Sequence, residues 1–200
     1  PFITSTLQVE AGRKLRFSSS QTMSLAQSLY QNGHITYMRT DSTTLSDTAI
    51  AAARSQILER YGQAYLPDAP RQYTKKVKNA QEAHEAIRPA GDRFRTPEEV
   101  RGELNTQEHR LYELIWQRTI ASQMTDARGE SVSVRLAAST TDGRAATFAA
   151  SGRTIQFPGF LRAYVEATDE GSDDADDREE VLPELAEGDG VRTLDLDAKA

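Results

Sequence analysis

Two hundred residues can bury one sizeable core or two small ones, and 38% hydrophobic content leaves room for much exposed surface. The absence of cysteine excludes a disulfide scaffold and thiolate-bound zinc; no apolar run reaches the roughly eighteen residues a membrane helix needs, and Pro1-Phe2-Ile3 does not resemble a secretory leader. The net charge of −6 divides unevenly: residues 1–125 hold 16 bases against 13 acids, whereas Glu166 to Asp189 holds 12 acids and one base. The first part can face a polyanion and the acidic stretch cannot.

Taken in order, the elements begin with a helix to about Leu15, for which Thr4-Ser5-Thr6 offers capping hydroxyls. A second helix starts at Ser19 or Ser20, carries Met23, Leu25, Ala26, Leu29 and Tyr30, and stops at Asn32-Gly33. His34-Ile35-Thr36-Tyr37-Met38 is short, β-branched and aromatic, and reads as extended. Ser46 caps a third helix with Ile50, Ala53, Ile57, Leu58 and Tyr61 on one face and Gly62 behind it. Residues 63–95 have little periodicity apart from a short helical candidate at Ala80–Ile87. Thr96-Pro97-Glu98-Glu99 starts another helix, and Thr106–Met124 forms the last, packing Leu111, Leu114, Ile115 and Ile120. Phe94, Tyr112 and Trp116 fit a helical core better than base stacking.

Near Asp126 the period changes from about 3.6 to 2. Ser131–Leu136 and Ala145–Ala149, around the turn Thr141-Asp142-Gly143, predict a hairpin. Arg153–Phe157, Phe160–Val165 and Gly190–Leu196 are further strand candidates. The stretch 166–189 reads as a solvated acidic loop rather than a metal site, since its aspartates lack EF-hand spacing. The fold class is therefore α+β. A helical domain over 1–125 is followed by a β-rich segment over 126–200 that forms a partial domain. The start without Met and the end at Ala198-Lys199-Ala200 suggest a piece of a longer chain.

The chemistry concentrates in Gly33-His34-Ile35-Thr36-Tyr37-Met38-Arg39-Thr40-Asp41-Ser42. A tyrosine is a useful nucleophile toward a phosphodiester because its phenol leaves more readily than an alkoxide, so the covalent phosphotyrosine is reversible. An arginine two residues on can face the same phosphate from an extended segment and stabilise the charge that builds during transfer. Tyr-x-Arg alone is a weak signal; the whole string is specific. Tyr37-Met38-Arg39-Thr40-Asp41-Ser42 resembles the active-site motif of the bacterial type IA DNA topoisomerases. Pro1–Gln8 and Thr22–Tyr30 are similar to segments leading into that motif, and Gln81-Glu82-Ala83-His84-Glu85-Ala86-Ile87-Arg88-Pro89 looks like a second signature of the family.

This resemblance implies that Tyr37 attacks single-stranded DNA and becomes linked to a 5′ end, with Arg39 assisting. It also implies that His84 touches phosphate nearby, as a histidine can in either protonation state, and that Arg88 either braces the fold through Glu82 or Glu85 or touches DNA. Asp41 is expected to orient Arg39. Lys75, Lys76 and Lys78 form a basic loop that can steer a strand, while His34 and His109 are expected to be packing or surface residues. The 126–200 segment becomes one portion of an arch or hinge. No metal or other cofactor is expected in this chain; the family's Mg²⁺ belongs to a separate N-terminal domain, which is an expected partner together with single-stranded DNA. A cytoplasmic location and no membrane partner are expected. The alternative is a non-catalytic winged-helix-like DNA-binding module, in which Tyr37 would be buried or turned away from Arg39 and His84.

Overall fold

The computed structural model describes residues 1–73, 85–139, 143–164 and 185–192. The chain is α+β and divides into two compact units, Pro1–Ala127 with Pro158–Ser172, and Arg128–Phe157 with Asp173–Ala200. Lys75, Lys76, Lys78 and His84 lie outside the described residues, as does residues 166–184 of the acidic stretch.

The first unit holds α1 (Thr4–Leu15), α2 (Ser19–Gln31), α3 (Asp47–Tyr61), α4 (Pro97–Val100) and α5 (Thr106–Ser122). Their starts follow local capping chemistry. Ser18 Oγ accepts from the Gln21 N–H and Ser46 Oγ from the Ala49 N–H, at 3.1 and 3.3 Å. Thr96 with Glu99, and Asn105 with Glu108, form reciprocal capping boxes. Helix α1 differs from expectation: its cap is Ile3, and the Thr4 hydroxyl turns toward another segment.

Helix α5 is the spine of this unit, touching α1, α2, α3 and α4. Its Leu111, Tyr112, Leu114, Ile115, Trp116 and Ile120 are buried, and each large apolar side chain so removed from water contributes about 1.5–3 kcal/mol. Buried Gln56 links two elements: its amide donates to the Phe94 carbonyl, and its oxygen accepts from Trp116 Nε1 at 2.8 Å. Phe94, Tyr112 and Trp116 are all core residues, as their spacing predicts.

In the second unit, β1 (Arg128–Ser139) and β2 (Ala145–Phe157) form an antiparallel hairpin, pairing Val134 with Ala150 and Leu136 with Phe148. Val132, Val134 and Leu136 are half-buried between exposed neighbours, which is the expected alternation. The Arg153–Phe157 candidate is the continuation of β2 rather than a separate strand.

Three other expectations change. Gly159–Arg162 is a 3₁₀ turn where a strand over Phe160–Val165 was predicted. Pro158 and the left-handed Gly159 (φ 49°) break the extended run, and Phe160 donates its N–H back to the Thr125 carbonyl at 2.9 Å. The described part of Gly190–Leu196, residues 190–192, forms no strand. Of the Ala80–Ile87 helix candidate, residues 85–87 are extended: Ala86 donates to the Thr44 carbonyl and Ile87 pairs with Phe2.

Candidate active site

The tyrosine segment leaves α2 through Gly33, whose φ of 74° turns the chain, and His34 donates its N–H back to Leu29. One edge is then stitched to residues 86–90. The Thr36 N–H donates to the Arg88 carbonyl at 2.9 Å, and the Ala90 N–H to the His34 carbonyl at 2.9 Å. The Thr36 hydroxyl donates to the Ala86 carbonyl and accepts from the Arg88 N–H, at 2.7 and 3.0 Å. A bend follows at Thr36 and another at Met38, so the segment is extended but not a regular strand.

Farther along, the start of α1 takes over. The Thr4 N–H donates to the Thr40 carbonyl at 3.0 Å. The Thr4 hydroxyl lies 2.9 and 3.0 Å from the Met38 and Thr40 carbonyls and accepts from the Thr40 N–H at 2.9 Å. Ile35, Met38 and Thr40 are buried, whereas Tyr37, Arg39 and Asp41 are exposed. Three inward anchors thus support a run whose polar and phenolic side chains face solvent.

Tyr37 is 43% exposed, and its ring meets that of Tyr30 edge to face, with centroids 5.2 Å apart. Tyr112 provides the contrast: it is buried, its hydroxyl donates to the Arg95 carbonyl at 2.6 Å, and burial holds its phenol well above the usual range. Among the described residues, Arg39 makes no hydrogen bond or ion pair. It lines an open groove of about 460 Å³ with Ile3, Thr4, Ser5, Gln8, Thr40 and Asp41. The expected orienting contact from Asp41 is absent, because an exposed pair gains too little to immobilise two solvated side chains.

Arg88 resolves as a brace. Its side chain is only 9% exposed; Nε and Nη2 each donate to a Glu85 carboxylate oxygen at 2.8 Å, and Nη1 donates to the Pro89 and Gly91 carbonyls at 2.8 and 3.0 Å. Glu85 Oε1 also accepts from the Ser46 N–H and hydroxyl, at 2.8 and 2.7 Å. Burial raises the affinity of Glu85 for a proton, but the Arg88 and Ser46 hydrogen bonds outweigh it and hold the carboxyl below its ordinary range. The brace fixes the strand on which Thr36 hangs.

His34 packs edge-on against Tyr112 and His109 bonds the Pro97 carbonyl at 2.9 Å, both packing roles as expected. Sequence reasoning missed Thr4 and Thr36, because their partners lie 34 to 52 residues away. Among the described residues, no three His, Asp or Glu side chains gather as metal ligands, and no helix is long and apolar enough to cross a membrane.

Comparison with known proteins gives this α+β chain its class. The family model for DNA topoisomerase matches residues 1–200, and the chain belongs to the bacterial type IA DNA topoisomerases. It is 63% identical to DNA topoisomerase 1 of Mycolicibacterium smegmatis, over 99% of this chain and 21% of that protein, and 61% identical to that of Streptomyces coelicolor, over 98% and 20%. The full-length topoisomerase I from Thermotoga maritima superposes with a TM-score of 0.63 at 40% identity, covering 86% of this chain and 28% of that one. The chain spans about a fifth of the length of the curated relatives it matches.

Proposed function

We propose that, within the full-length protein, Tyr37 cleaves one DNA strand during relaxation of negatively supercoiled DNA. Its phenolic oxygen attacks a backbone phosphorus and the P–O3′ bond breaks. The phosphate stays on Tyr37 as a 5′-phosphotyrosine, the phenolic proton goes to a base, and the departing 3′ oxygen takes up a proton. Return attack by that 3′-hydroxyl reseals the strand after another has passed. Arg39 supports the phosphate, since its guanidinium, without a partner among the described residues, is available for charge-assisted hydrogen bonds to it. His84 and the Lys75, Lys76 and Lys78 loop belong to the same proposal as contacts along the strand.

One observation carries the reading: Tyr37 is exposed, with Arg39 exposed two residues on and uncommitted among the described residues. The alternative DNA-binding module calls for a buried or averted tyrosine. Among the described residues no three His, Asp or Glu side chains gather as metal ligands. By resemblance to the family, acid–base work and Mg²⁺ binding belong to a metal-binding domain elsewhere in the protein, a cytoplasmic enzyme on this reading. The 126–200 segment contributes part of the arch that lets the tyrosine-bearing domain swing. The chain by itself neither cleaves nor relaxes DNA.

The test uses a 3′-labelled single-stranded oligonucleotide and Mg²⁺. The full-length protein is expected to trap label in a covalent band that Tyr37→Phe abolishes, and the 200-residue chain alone to give none. A band surviving Tyr37→Phe refutes the role of Tyr37; one from the isolated chain refutes its incompleteness.

A further inference from the structure

Arg39 is a long, exposed side chain, so the direction in which it leaves the backbone sets which phosphate it reaches. That direction is fixed by the two peptide planes beside its Cα. The Thr4 hydroxyl touches both: the Met38 carbonyl belongs to the plane before Arg39, at 2.9 Å, and the Thr40 N–H to the plane after it, also at 2.9 Å. The Thr4 N–H adds a bond of 3.0 Å to the Thr40 carbonyl, one peptide farther on. A hydroxyl has one proton and two lone pairs, so it alone among small side chains can donate to one of these planes and accept from the other. The β-branch of threonine limits χ1 and holds that oxygen in place. Helix α1, through buried Leu7 and Ala11, anchors Thr4 to the core.

We propose that Thr4 is a positioning residue for Arg39, its hydroxyl clamping the peptide units on either side so that the guanidinium meets the scissile phosphate. The proposal rests on the reading of Tyr37 and Arg39 given above. Thr4 touches no reacting atom; it acts through the backbone. Thr36 holds the segment on the side before Tyr37, so the two threonines together bracket the nucleophile and its arginine.

Thr4→Val keeps the shape and removes the hydroxyl; Thr4→Ser keeps the hydroxyl. In the full-length protein, with saturating oligonucleotide, Thr4→Val is expected to slow formation of the covalent adduct about 10- to 100-fold, the scale of a misplaced catalytic contact. Oligonucleotide affinity should stay within about threefold, and Thr4→Ser should restore most of the rate. In an Arg39→Ala background, Thr4→Val should cost less than about threefold, because the group it positions is gone. A structural role predicts the opposite: equal losses in both backgrounds, or a rate loss that tracks thermal melting and is not rescued by serine. Either result overturns the proposal. A full rate in Thr4→Val also overturns it while leaving Tyr37 untouched, whereas adduct formation by Tyr37→Phe removes the reading beneath it.

Discussion

Replacing Arg88 by Met keeps an apolar stem of similar length and deletes the guanidinium. In the folded chain that removes a bidentate pair with Glu85 and leaves the Pro89 and Gly91 carbonyls without their Nη1 donor. Breaking a fully buried ion pair costs roughly 3–5 kcal/mol. Here Glu85 retains its Ser46 bonds and 23% side-chain exposure, which lets water reach the stranded carboxylate, so we expect about 2–4 kcal/mol. The sole tryptophan, Trp116, is buried in the first unit and reports its unfolding by fluorescence. With a urea slope of about 2 kcal/mol per molar, the midpoint should fall by about 1–2 M. An unchanged midpoint refutes the assignment of Arg88 as a brace. So would an equally large loss in an Arg88→Met variant built on Glu85→Gln, since paired groups cannot be lost independently.

Two further outcomes follow from the same unit. Because Glu85 binds its proton less readily folded than unfolded, its stabilising contribution is complete above 4.5, its ordinary value, and is lost as pH falls through the lower folded value. The stability gap between the native chain and Glu85→Gln should therefore close on acidification below about pH 4.5; a gap constant from about pH 7 to pH 3 contradicts it. Gln56→Met keeps volume but strands the Trp116 N–H and the Phe94 carbonyl, so urea unfolding should register a loss of about 1–3 kcal/mol, with no loss sinking the claim that the amide is essential there.

Most helices were legible because their signals are local. Ser46, Thr96-Pro97 and Gly62 act within a turn of themselves, and Leu111, Leu114, Ile115 and Ile120 repeat at the helical period. The hairpin was legible for the same reason, its alternation needing only neighbours. What failed was non-local. At the described end of the Ala80–Ile87 candidate, Ile87 takes its partner from Phe2 and Ala86 from Thr44. Phe160–Val165 looks like a strand until Gly159 turns it and Tyr164 sends its hydroxyl to buried Glu10. At the candidate site, Tyr37 and Arg39 are singled out by the motif, and the structure exposes both. The bonds that Thr4 and Thr36 make around their segment join residues 34 to 52 positions apart, which no spacing rule reveals.

The pairing of Phe2 with Ile87 and of Ile35 with Pro89 also sets an order of assembly. A ribosome delivers Tyr37 long before Pro89, so the newborn phenol trails on an unclasped tether, and closing so distant a contact is slow relative to helix formation. The segment that bears Tyr37 gains its downstream backbone partners only when the chain about fifty residues on comes back to meet it.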